Sequence, residues 1–405
     1  MSRRRVLFVS ENITLAQIVR LVVLADALPP DEFEIHFAAS DFPAFIFGER
    51  IASGRWKTWP LWTVAPEKVF KSLESGKRLY GRRTLARYVA ADRAVIDAVK
   101  PHLVVGDLRW SLTVSAPLAG VPHAALINAY WSPHAAREAF PLPDHPIVRW
   151  LGEERAARHF PKALPFVFKH FAAPLDKLRA RHALPRLGDL LAVLMAGDHV
   201  LFADTPRLAP VRHIKPHQRY LGPVLWSPKA PLPEPWRAPA TRPRVYVTLG
   251  SSGRLGLLPA TLEALAGRPV DVLLATAGRV SPRDVPPNVL PVDFVDGDEA
   301  CARASVVITN GGSSTGYQAL ARGKPVIGIP SNFDQYLASQ ALEATGAALT
   351  IPARQLTATR LQTCLDQVLA APTFAEAAES VAHEMSQHPT ADRFRQLVRE
   401  AALPA

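Results

Sequence analysis

Cysteine is nearly missing from this chain: 405 residues contain only Cys301 and Cys364, neither in a C-x-x-C spacing. A disulfide framework and a cysteine-ligated zinc site are thereby excluded, and a reducing, cytoplasmic setting is expected. Long apolar runs are missing as well. No stretch reaches the roughly 20 apolar residues of a membrane-spanning helix, because Asp, Arg or Pro interrupts each candidate. The basic start Arg3–Arg5 leads only into the strand-length Val6–Val9 before Glu11 and Asn12, so no signal peptide is expected. No repeat with a period of roughly 20 to 50 residues is visible, and no nucleic-acid-binding module accompanies the basic residues.

What is present is ordinary globular composition, 48% hydrophobic and 20% charged. At 405 residues the chain exceeds what one hydrophobic core supports, which predicts two domains. The formal charge of +11 suits an anionic small ligand such as a diphosphate, and equally nucleic acid or anionic lipid; charge alone does not choose.

The hydrophobic pattern is that of an α/β protein. Val6–Ser10 reads as a buried strand, a helical pattern runs from Leu15 to Leu28, and Glu32–Ala38 alternates as a strand. His102–Val105 and Ala124–Ile127 read as further buried strands, which predicts a parallel sheet covered on both faces. Seven prolines between 222 and 243 oppose helix interior and central strand alike and predict an extended connector. Beyond it the pattern restarts with strands at Arg244–Leu249, Val270–Ala275, Val289–Phe294, Val306–Thr309 and Pro325–Ile329. The expected organisation is a domain over 1–221, a connector over 222–243, a second domain over 244–385 and a final segment over 386–405.

One segment carries chemistry. After the strand Val306–Thr309, Asn310-Gly311-Gly312 makes a turn, and Ser313, Ser314 and Thr315 open a helix. Unpaired N–H groups and the positive dipole end at such a helix start attract phosphate, and the glycines permit close approach of the backbone. A second small-residue loop, Gly250-Ser251-Ser252-Gly253, follows a strand of the same domain, at the sheet edge where ligands of open α/β folds bind. Downstream, Asp334 and Gln335 offer short-range acceptors and donors suited to sugar hydroxyls, although Asp334 is also placed to cap a helix.

This order of motifs resembles the donor-binding signature of the family 1 glycosyltransferases of GT-B fold, the group of macrolide, flavonoid and glucuronosyl transferases. The likeness is strongest over 244–350 and weak over 40–100. It implies two facing Rossmann-like domains with a cleft between them, and transfer of a sugar from a nucleotide-diphosphate donor, a UDP- or dTDP-sugar, to a small acceptor. It further implies that Ser251, Ser252 and Asn310–Thr315 hold the diphosphate. The backbone at Phe294 and Val295 would meet the base, and Asp334 and Gln335 the sugar. The final helical segment would cross back to the N-terminal domain, and no metal or other cofactor would be required. Asp296-Gly297-Asp298 spells the D-x-D of metal-dependent transferases, but it precedes a helix, where acids serve as caps.

Two positions depart from the family pattern. Asn310 stands where the phosphate turn normally has His; its amide donates a hydrogen bond but cannot become cationic. Gln17 stands where inverting members carry the His that deprotonates the acceptor, and with Thr14 it makes a capping-box pattern. Asp107 matches the carboxylate that orients that His. Asp107 through a water, or Glu11 in the first β-α loop, are then the candidate bases, with a helix cap and a solvated loop carboxylate as their structural alternatives. His123 and His134 are minor candidates, and an acceptor that is already nucleophilic needs no strong base. Aromatic and basic residues mix over 129–177, which suits a hydrophobic acceptor, a weak peripheral membrane contact or an ordinary helical layer. The alternative to an enzyme is a catalytically silent relative acting as a partner or activator. A nicotinamide dehydrogenase is disfavoured because Ser10–Thr14 lacks G-x-G-x-x-G.

Overall fold

The structure, a computed structural model, describes residues 3–144, 146–250, 252–281 and 284–401. Two compact units emerge. The first comprises Met1–Glu138, Leu151–Val224 and His388–Ala405, and the second Ala139–Trp150 and Leu225–Gln387.

The first unit contains a seven-stranded parallel sheet of β1 (Arg4–Ser10), β2 (Phe33–Ala39), β3 (Trp56–Pro60), β4 (Leu103–Asp107), β5 (His123–Ile127), β6 (His199–Phe202) and β7 (Gln218–Tyr220). Their order is β3-β2-β1-β4-β5-β6-β7. Val6, Leu7, Phe8 and Val9 are all buried because helices cover both faces, which is why β1 reads as a continuous apolar run. The second unit holds a six-stranded parallel sheet of β8 (Arg244–Thr248), β9 (Asp271–Ala275), β10 (Val289–Val292), β11 (Val306–Thr309), β12 (Val326–Gly328) and β13 (Ala348–Thr350). It runs β10-β9-β8-β11-β12-β13 around a core that includes Val245, Val247, Ile308 and Ile327.

Both sheets therefore reverse winding direction beside their first strand, between β1 and β4 and between β8 and β11. In doubly wound sheets the crevice at the carboxyl ends of that strand pair is where ligands bind. In register, Ser10 pairs with Asp107 and Thr248 with Thr309, so Glu11, Asp107, the loop at 249–253 and the turn at 310–312 all lie at these switch points.

The proline-rich stretch is more structured than its composition predicts. From Leu225 onward it belongs to the second unit. A short helix, Glu234–Arg237, forms with Pro235 in its first turn, where a missing N–H forfeits no helical hydrogen bond. Trp236 is buried, and the Arg244 guanidinium donates to the carbonyls of Pro235, Trp236 and Ala238. The last helix, Thr390–Ala401, packs within the first unit. Phe394 lies 6.1 Å from Phe8 between ring centroids, and Arg395 Nε donates to the Ala27 carbonyl at 3.1 Å. Among the described residues no helix is long and apolar enough to cross a membrane.

Candidate functional site

At the switch point of the second unit, three segments distant in sequence converge on one hydroxyl. Ser252 Oγ accepts from Asn310 Nδ2 at 3.3 Å and from Gln335 Nε2 at 3.4 Å. Each segment is shaped locally for this meeting. Gly250 has φ 58°, its N–H donates to Thr248 Oγ1 at 3.1 Å, and Arg279 braces the loop by donating to the carbonyls of Gly250 and Gly253. Gly311 has φ 75°, and a Cβ there would stand 2.3 Å from Ser339 Oγ, so only glycine fits. Asn310 Oδ1 accepts from Gly312 N at 3.0 Å, closing a tight polar turn in front of the helix Ser313–Ala321. The first-turn N–H groups of that helix, at Ser313, Ser314 and Thr315, lack intrahelical acceptors and carry the positive end of its dipole. Ser314 is exposed and its two neighbours are half-buried. Ser251 lies outside the described residues.

Gln335 is partly engaged by its own segment. Its Oε1 accepts from the Ser331 N–H and hydroxyl at 2.9 and 3.0 Å, so only its amide nitrogen is directed toward Ser252. The cap of the helix Phe333–Ala344 is Asn332, whose Oδ1 accepts from Gln335 N at 3.0 Å; the alternative of an Asp334 cap is thereby corrected. Asp334 sits exposed in the first turn of that helix. Val295 is buried, while Phe294 leaves half its surface exposed beside Gly278. Asp296 caps the helix Gly297–Arg303 by accepting from Asp298 N and Glu299 N, and Asp298 pairs with Arg322, so both acids of the D-x-D have structural partners.

At the switch point of the first unit the candidate bases are embedded rather than presented. Gln17 Oε1 accepts from the N–H groups of Ile13 and Thr14 at 2.8 and 3.2 Å, and with Thr14 it makes the capping box at the start of the helix Leu15–Asp26. Asp107 is fully buried and takes a bidentate contact from Arg20, Nε to Oδ2 at 2.8 Å and Nη2 to Oδ1 at 2.7 Å. Its reading as a helix cap is corrected, because Ser111 stands at the N-cap position of the helix Leu112–Ala119. Glu11 is 1% exposed rather than solvated. Its Oε1 accepts from the hydroxyls of Tyr80 at 2.8 Å and Tyr88 at 2.6 Å, and its Oε2 from Arg109 at 3.1 Å. Burial pushes its carboxyl above the ordinary value, against the opposing pull of Arg109. The residues that follow, Asn12 at φ 60° and Leu108 at φ 54°, hold left-handed conformations that turn the chain sharply beyond each acid.

Comparison with known proteins agrees with this architecture. A family model described as "Erythromycin biosynthesis protein CIII-like, C-terminal domain" matches residues 261–400. A "PGL/p-HBAD biosynthesis glycosyltransferase" of Mycobacterium tuberculosis is 44% identical over 382 residues, which span 94% of this chain and 88% of that protein. The chain belongs to the family 1 glycosyltransferases of GT-B fold. A "PGL/p-HBAD biosynthesis rhamnosyltransferase" of Mycobacterium bovis is 42% identical over 94% of this glycosyltransferase and 84% of its own length. The solved glycosyltransferase VinC, in complex with dTDP, superposes with a TM-score of 0.66 at 22% identity, covering 98% of this chain and 99% of VinC.

Several residues of this glycosyltransferase that shape its first switch point carry no sequence signal. Arg20 occupies the side of the first helix one turn beyond Gln17 and also donates to Asn128 Oδ1 at 2.6 Å; Asn128 in turn donates to Asp204 at 2.9 Å. Arg109 bridges Glu11 and the buried Asp92, lying 3.9 Å over the Tyr88 ring. His123 is buried and pushed down to about 4 by its burial, so it is neutral at physiological pH. His134 stacks edge-on against His213 at 5.7 Å. In the 129–177 region the helix Glu153–Arg181 buries Leu164 and Phe168 while Phe166 remains 75% exposed, which is mainly the pattern of a helical layer.

Proposed function

We propose that this glycosyltransferase moves a sugar from a UDP- or dTDP-activated donor held by the second unit to a small hydrophobic acceptor held by the first, with inversion and without a metal ion. The observation that carries the donor reading is the convergence of Asn310 and Gln335 on Ser252, beside the open helix start at Ser313–Thr315. Contacts of 3.3 and 3.4 Å are long for hydrogen bonds and readily exchanged for phosphate oxygens. The relatives' names add a rhamnosyl unit as a donor sugar and the acceptors of PGL/p-HBAD biosynthesis, and the dTDP bound by VinC suits the same nucleotide here.

In the reaction, the acceptor oxygen attacks the anomeric carbon from the side opposite the diphosphate. The bond from that carbon to the phosphate oxygen breaks, and its electron pair leaves with the nucleoside diphosphate. The developing charge falls on the N–H groups and hydroxyls of Ser313–Thr315 and on the Asn310 and Ser252 side chains, donors fixed in place before reaction. With Gln17 engaged as a cap, Asp107 paired to Arg20 and Glu11 buried under two tyrosines, the acceptor proton passes to water. An acceptor hydroxyl of low pKa, such as a phenol, is therefore the favoured class.

Calorimetry with UDP, dTDP, GDP and ADP, with and without magnesium, tests the donor site. One diphosphate should bind independently of magnesium, and Asn310→Ala should weaken it about tenfold. Binding of none of the four by the wild type would sink the donor reading and favour a catalytically silent relative. The base question is tested with a series of acceptors of graded hydroxyl pKa. Turnover that falls as acceptor pKa rises supports the reading, and equal turnover of aliphatic alcohols would sink it.

A further inference from the structure

The segment Ala139–Trp150 interrupts the sequence of the first unit yet belongs to the second. Its residues 139–144 lie against the helix Phe333–Ala344. Phe140 stacks on Phe333 with centroids 5.9 Å apart and planes 20° from parallel, and the Ala139 carbonyl accepts from Gln340 Nε2 at 3.1 Å. Its polar anchor is Asp144, whose side chain is only 1% exposed. Asp144 Oδ1 accepts from Tyr336 OH at 2.6 Å and from Arg354 Nη1 at 2.9 Å, while Oδ2 faces Arg254 Nη1 at 3.4 Å. Arg354 Nη1 also donates to Tyr336 OH at 2.8 Å. A carboxylate this buried is tolerated only with such compensation, here two guanidinium groups and a phenol.

The partners of Asp144 stand next to the donor loops. Arg254 follows Gly253 at the end of the loop that carries Ser252, and Tyr336 follows Gln335 in the helix that begins beside Asp334. Directly, those two segments touch through the 3.4 Å contact from Gln335 to Ser252, a single long hydrogen bond between neutral groups. Asp144 adds a second link between the same segments: its contact to Tyr336 is short, and its contact to Arg254, although also 3.4 Å, joins opposite charges. Burial, and next the adjoining carboxylate, push the Tyr336 phenol well above its ordinary value, so it remains a donor throughout the working range.

We propose that Asp144 is a positioning residue for the transferred sugar: it clamps the Ser252 loop to the Asp334–Gln335 helix start and sets the gap between them. The inference rests on the donor reading given above. The diphosphate is gripped mainly by the helix start at Ser313–Thr315, which the clamp does not touch. Ser252 is one hydroxyl among the diphosphate's donors, so displacing its loop costs the nucleotide little, and Asp144 governs recognition of the sugar more than of the nucleotide.

The test is calorimetry on the intact protein with dTDP against dTDP-rhamnose and UDP against UDP-glucose. Asp144→Asn should weaken the nucleotide sugar about tenfold and leave the free nucleoside diphosphate within about twofold. Asp144→Glu should recover part of the loss. Tyr336→Phe, which keeps the ring and removes only one hydrogen bond, should weaken the nucleotide sugar about threefold and serves as the readout should Asp144→Asn fail to fold. Equal weakening of sugar nucleotide and free diphosphate, or no weakening of either in a folded variant, overturns the clamp while leaving the donor reading standing. Absence of binding by the wild type to all four ligands overturns both.

Discussion

The two sheets share a strand order at their centres and present the same kind of switch point, yet they use polar groups in opposite ways. At β8 and β11 the groups are small, half-buried and joined by long contacts: Ser252, Asn310 and the open helix start. At β1 and β4 they are large, buried and tightly joined, with Asp107 to Arg20 and Glu11 to Tyr80, Tyr88 and Arg109. A ligand can replace the first kind of contact at small loss, whereas breaking the second leaves a charge buried without a partner. The difference separates exchangeable contacts, which suit the donor site proposed above, from a network of buried charges that holds its surroundings in shape.

The contrast breaks most visibly if the buried network proves dispensable. Asp107→Ala leaves the Arg20 guanidinium without its carboxylate and should lower stability by about 3–5 kcal/mol in denaturant titration; a loss under about 1 kcal/mol would contradict the tight-network reading. Next in size is Gly311→Ala, whose new Cβ meets Ser339 Oγ and Pro330 in a left-handed backbone. It should lower stability by about 1–3 kcal/mol and abolish most turnover, read by melting and by activity on the same preparation.

Asn310→Ala sharpens the comparison from the other side. Donor affinity should fall about tenfold, while stability changes by no more than about 1 kcal/mol, because the amide joins exchangeable partners. A larger stability loss would place Asn310 with the structural network instead. The smallest effect is the pH response of Glu11. Burial raises its carboxyl above the ordinary 4.5, so the native state holds the proton more readily than the unfolded chain does. The stability it contributes is complete below the ordinary value and declines as pH rises through the raised one. Glu11→Gln should flatten that decline in melting curves taken between about pH 4 and about pH 8; an unchanged slope would show that Glu11 does not titrate on unfolding.

What could be read in the sequence follows from how local each signal is. The turn Asn310-Gly311-Gly312 between β11 and the helix Ser313–Ala321 is written in consecutive residues, and a strand, two glycines and three hydroxyls suffice to specify it. Gln17 as a cap was legible for the same reason, since its partner N–H groups lie within four residues. The partners of Glu11 were not. Tyr80 lies just before the helix Arg82–Val99 and Tyr88 within it, 69 and 77 residues from Glu11, so nothing near Glu11 in the sequence indicates them. Arg20 lies 87 residues from Asp107, and Asp144 lies 192 from Tyr336; nothing within either neighbourhood indicates the distant partner. The proline count misled at 234–237 because composition does not reveal that a proline in a first turn is harmless.

The route of the chain bears on how enzymes of this kind can be recombined. The first unit is completed by His388–Ala405, with Phe394 seated against Phe8, and the second takes in Ala139–Trp150. A gene cut once near residue 225 would separate each core from a piece of itself. A hybrid that borrows the donor half of a relative should exchange two stretches, 139–150 and 225–387, and keep the native tail.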